Sequence, residues 1–183
     1  GEILMLRFVL KDDEQHTLLE ELERILTRTR ENSFSIRCRI GIAYATAELW
    51  TEADFRTKAH PYLLRLLGDH DENVVAAAAR IFSERKLKPD AQSREVLAYV
   101  AERPNLLRQI ANDDLGECLI SMLEVTPLLA STVARSILDA VGDDFFNHKS
   151  SRYFLAEHLL TVALRLQEMG APHQELGAHI FER

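Results

Sequence analysis

Cysteine is nearly absent from this chain: Cys38 and Cys118 are the only two, eighty positions apart, each inside an apolar periodic segment. Such a pair reads as two packed, reduced thiols of an intracellular protein rather than a disulfide framework. Glycine (7) and proline (5) are scarce, too few for the tight turns of an all-β sandwich of 183 residues, and only 7% of residues are aromatic. Long apolar runs are missing, since none reaches the roughly 18 residues of a membrane helix. The apolar opening 2–10 is short, is broken by Arg7 and has no basic segment before it, so it does not read as a signal peptide. Bases are outnumbered, 22 against 29 acids, and the net charge of −7 argues against a whole-chain electrostatic grip on nucleic acid.

What remains is enough to fold. The chain is 46% hydrophobic and 28% charged, which supports one buried core, and the reading expects a single domain over 1–183. It opens at Gly1 and closes on a helical-looking Ile-Phe-Glu-Arg183, so the expectation is a piece excised from a longer protein. Helical periodicity dominates. Over 13–29, Leu18, Leu19, Leu22, Ile25 and Leu26 form one stripe with the glutamates off it. Ser35 is placed to cap a helix through Trp50 with Ile36, Ile40, Ala43 and Ala47 on one face. A third helix spans 52–67, where Pro61 either kinks it or opens a new first turn.

Further along, Asp71 is a candidate structural cap for a helix over 72–86, and Asp90 caps one running to Glu102. Pro104 opens a short segment, Asp113 and Asp114 begin the next helix, and Thr126-Pro127 starts one that ends at Gly142. The clearest helix, 152–169, turns Leu155, Leu159, Val162, Ala163 and Leu166 inward before Gly170, and Pro172 opens the last. No segment reads as a strand. Short breaks suggest antiparallel pairs: 13–29 with 35–50, 52–67 with 72–86, 113–125 with 127–141, and 152–169 with the final helix.

One stretch carries more than amphipathicity. In 60–82, Leu63-Leu64 and Leu66-Leu67 precede a tight turn holding Asp69 and Asp71; Val74, the run Ala76 to Ala79, and then Ile81-Phe82 follow. This order resembles a HEAT repeat, and 4–14 echoes it more weakly. The leucines fill space between repeats, the aspartate satisfies amides at a helix start, and the alanines allow close packing. Where the family usually has Arg after the first Val, this chain has Val75, which removes one partner from the family's ladder of inter-repeat ion pairs. The resemblance implies antiparallel helical pairs stacked as a HEAT-like α-solenoid, the alternative fold being an irregular helical bundle.

Candidate chemistry is thin. His70-Asp71 resembles the His-Asp pair of helical metal-dependent phosphohydrolases, with His60 and Asp69 close in sequence; a HEAT turn accounts for both aspartates without metal. His148, His158, His173 and His179 lack zinc-ligand spacing, and no nucleophile elbow or phosphate-binding glycine loop occurs. Two basic groups stand out, Arg24, Arg28, Arg30, Arg37 and Arg39, then Arg80, Arg85, Lys86 and Lys88; on one groove they would grip phosphates, as in HEAT-like DNA-repair enzymes. From residue 111 onward 11 acids face 5 bases. Asp143 and Asp144 there precede Phe145 and Phe146, an acidic-aromatic loop suited to partner binding.

The expected role is protein–protein interaction or scaffolding within a larger cytoplasmic protein. That role involves no catalysis, cofactor or membrane, and its partner is a protein or peptide of basic character. The alternatives are a nucleic-acid-binding or repair module using the two basic groups and a phosphohydrolase at His70-Asp71.

Overall fold

The computed structural model describes residues 20, 35–85, 87, 90–142, 151–171 and 173–181. From residue 35 on, these residues form nine α-helices and one 3-10 segment, with no strand among them. The fold is all-α. The helix expected over 13–29 lies outside the described residues apart from Glu20, which is helical and exposed. The chain clusters into two compact units, Gly1–Ile81 and Phe82–Arg183. Among the described residues no helix is long and apolar enough to cross a membrane.

The first unit contains α1 (Ile36–Thr51), α2 (Ala53–Leu67) and α3 (Glu72–Ala78), each packed on the other two. Helix α1 starts at Ser35, whose hydroxyl accepts the Cys38 amide. Its buried side is Ile42, Ala43, Ala45, Thr46, Ala47, Leu49 and Trp50. The face expected from sequence is therefore corrected: Ile36 is exposed and Ile40 only half-buried. Two helices cover α1, and together they bury a face centred nearer Thr46 and Trp50 than the apolar spacing alone suggests.

Helix α2 buries Phe55, Ala59, Leu63, Leu66 and Leu67, a stripe at three- and four-residue steps. It runs unbroken through Pro61, which lies on its exposed side, where a missing amide donor is least costly. The expected continuous helix over 72–86 is also corrected. It is α-helical only to Ala78 and then winds more tightly as a 3-10 segment, Ala79–Arg85, keeping Ile81 and Phe82 buried.

The second unit holds α4 (Ala91–Ala101), α5 (Pro104–Ile110), α6 (Asp113–Met122), α7 (Pro127–Val141), α8 (Ser151–Glu168) and α9 (His173–Phe181). Helix α7 is central and packs on every other helix of the unit. Its buried positions are mostly small (Ala130, Ser131, Ala134 and Ala140, with Val133 and Ile137), which lets several neighbours come close. The pairing of α8 with the last helix is present. The pairing expected between 113–125 and 127–141 is not the main one, because α6 packs more extensively on α8 than on α7. Glycine makes both contacts to α8 possible. A methyl group at Gly116 would stand 2.7 Å from the His158 Cβ, and one at Gly177 would stand 2.5 Å from the Ala163 carbonyl oxygen.

Candidate interaction surface

The His-Asp turn is built for structure. Arg39 of α1 donates through Nη1 to both carboxylate oxygens of Asp69, at 2.7 and 2.9 Å, and Asp69 also accepts the Asp71 amide at 2.9 Å. Asp71 in turn accepts the Asn73 amide at 3.0 Å and caps α3. Desolvation acts to raise the Asp71 pKa, but hydrogen bonds from Asn73 and Val74 and the Arg39 charge outweigh it and hold the carboxyl below its ordinary value. His70 is 71% exposed, with its Nδ1 3.4 Å from Asp69. Among the described residues no group of three or more His, Cys, Asp or Glu side chains is placed to hold a metal ion.

His60, grouped with the turn in the sequence, belongs to a different cluster that sequence reading missed. It is buried, and its Nδ1 accepts the Trp50 indole N–H at 3.1 Å. The Arg56 guanidinium, also buried, lies 3.8 Å from the centre of the Trp50 ring, where the negative face of the ring offsets part of the cost of burying a cation. Arg56 and His60 are one helical turn apart on α2. That spacing was the available signal, but nothing local points it at Trp50.

Three members of the two basic groups have described side chains. Arg39 is engaged by Asp69, Arg37 is exposed, and Arg80 sits over Tyr44 with 5.3 Å between guanidinium and ring centre. Arg24, Arg28, Arg30, Lys86 and Lys88, and the side chain of Arg85, lie outside the described residues. Outside them too are Asp143, Asp144, Phe145, Phe146 and His148, together with the side chain of His179. His158 is placed: its Nδ1 lies 3.0 Å from a carboxylate oxygen of Asp113, linking α8 to the start of α6. Cys118 is buried in α6, and burial pushes its thiol pKa up to about 12.

The second unit leaves several large apolar side chains exposed. Val125 between α6 and α7, Leu128 in the first turn of α7, Phe154, Leu160 and Leu164 on α8, and Met169 just beyond it are exposed; Ile36 is the one exposed large hydrophobic residue of the first unit among the described residues. Among the described residues after 111 the exposed acids are Glu124, Asp139, Glu157, Glu168 and Glu175, and the exposed bases are Arg135 and Arg165. Thus the base-poor stretch after residue 111 and most of the uncovered large hydrophobic side chains among the described residues fall in the same unit. Comparison with family models, with curated proteins and with solved structures found no match.

Proposed function

We propose that this chain is an interaction or scaffolding module of a larger intracellular protein, engaging a basic protein or peptide through its second unit and performing no chemistry of its own. The observation that carries the reading is the set of uncovered apolar side chains in the second unit, within a stretch of sequence where 11 acids meet 5 bases. Apolar anchors with a charged rim suit recognition of a protein surface, the charge steering the encounter and the anchors slowing release. The finer architecture, a HEAT-like α-solenoid, is part of the same proposal. It is supported by the aspartate-rich turn before α3 and by Ala77 and Ala78, which are buried where a HEAT repeat places its small residues.

Chemical cross-linking in lysate with and without nuclease tests the role. Nuclease-resistant cross-links to proteins, concentrated on residues after 111 and weakened by salt, are expected. Cross-links abolished by nuclease would replace this reading with nucleic-acid binding.

A further inference from the structure

Among the described residues, helix α8 is covered on one side only. Leu155, Leu159, Val162, Ala163 and Leu166 are buried, while Glu157, Leu160, Leu164 and Glu168 recur at three- and four-residue steps along the opposite side and are all exposed. Each leucine is 46% exposed. Thr161, between them, spends its hydroxyl on the Glu157 carbonyl at 2.9 Å, so the strip between the glutamates is apolar in effect. Helix α6 borders this face on the His158 side and brings Asp113, Asp114 and Glu117 in its first turns; Arg165 is the exposed base nearby on α8.

Resting on the interaction-module reading, we propose that the outward face of α8, from Glu157 to Glu168, docks a basic amphipathic helix of a partner protein. The charge pattern chooses this occupant. A second copy of the chain would pair the face with itself. In an antiparallel pairing centred between the leucines, Glu157 of each copy meets Glu168 of the other, and in a parallel pairing each glutamate meets its own equivalent. Both arrangements set like charges across an apolar seam. A lipid surface is favoured by lysine and arginine around the apolar strip, and here the rim is acidic. A helix carrying apolar residues four apart, with lysine or arginine about a turn beyond each, complements all four side chains at once. Its two basic positions stand about 16 Å apart, the rise from Glu157 to Glu168.

The probe is a fluorescent helical peptide of Ala, Leu and Lys, about 18 residues long, titrated into the full chain by polarisation beside an analogue with Glu in place of Lys. The Lys peptide is expected to saturate, and its affinity to fall about tenfold or more in Leu160→Gln/Leu164→Gln. Glu157→Lys/Glu168→Lys should lose the Lys peptide and gain the Glu analogue. Because all four positions are exposed, the melting temperatures of both variants should stay at the parent value. Binding of the Lys peptide equally by parent and leucine variant would remove this face and leave the module reading standing. Failure to bind either peptide, with protein cross-links to the second unit intact, would do the same. A parent that sediments as a dimer and becomes monomeric in Leu160→Gln/Leu164→Gln, or that floats with phosphatidylcholine vesicles, would overturn the proposal in favour of self-pairing or lipid.

Discussion

Arg39 and Asp69, thirty positions apart, share a three-atom contact in which one guanidinium nitrogen donates to both carboxylate oxygens. The same aspartate accepts the Asp71 amide, so one side chain ties α1 to the turn that starts α3. Removing either partner leaves a charged group in a site shielded from most of the solvent. Arg39→Ala and Asp69→Ala should each cost about 1.5–3 kcal/mol in urea unfolding. Their double-mutant cycle should show a coupling of about 1 kcal/mol. Strict additivity would mean the pair is not formed in solution.

Asp71 contributes as a cap, and its charge adds to that role. Asp71→Ala should lower the melting temperature, and Asp71→Ser or Asp71→Asn should recover most of the loss, since each keeps an acceptor for the Asn73 amide. The folded-state pKa is lowered from 3.8, so the stability owed to the charge is complete above that value and is lost as pH falls through the folded one. The gap between parent and Asp71→Asn should therefore hold steady from neutral pH to about pH 5 and close in more acidic solution.

Ala78 is fully buried in α3. Ala78→Asp places a carboxylate among close-packed helices and should cost about 3 kcal/mol or more. A variant melting with the parent would put that face in solvent.

The same substitution should have opposite signs at two glycines. Gly177→Ala drives a methyl group against the Ala163 carbonyl, backbone that cannot move aside cheaply, and should destabilise by about 1–3 kcal/mol. Gly41→Ala, with nothing within 4 Å of the new methyl group and a position inside α1, should stabilise by about 0.5–1 kcal/mol. Thermal melts of the two variants check both.

Cys118 and Cys38 should differ in accessibility. A thiol reagent at neutral pH should label the half-buried Cys38 first and reach Cys118 only on unfolding. The folded-state pKa of Cys118 is raised from 9.0 to about 12, so its contribution is complete below the unfolded value and fades as pH rises through that interval. The melting-temperature advantage of the parent over Cys118→Ala should shrink in alkaline solution.

Much of the helix punctuation was legible because its cause is local. Ser35, Asp71 and Asp90 each accept an amide two or three residues on, and the inward stripe of α8 repeats within the helix itself. Other features were not. Thr126 precedes a proline as a cap should, yet its hydroxyl turns back to the Met122 carbonyl, and the side-chain cap at α6 comes from Asn112. No glycine or proline marks the change to 3-10 winding after Ala78. Leu160 and Leu164 fall off the inward stripe of α8, but nothing in the helix itself says whether a second neighbour covers their side.

By itself, the sequence determined that this protein is helical, where most helices begin and end, and that bases are scarce after residue 111, 5 against 11 acids. Those properties depend on backbone preferences and charges carried within a few residues of one another. Tertiary structure alone decided that Arg39 serves Asp69, that Arg56 stacks on Trp50, that α6 lies chiefly on α8, and that no described helix covers the side of α8 bearing Leu160 and Leu164. An amphipathic helix specifies that it must bury a face. Which neighbour covers that face, and where the covering stops, depends on residues tens of positions away.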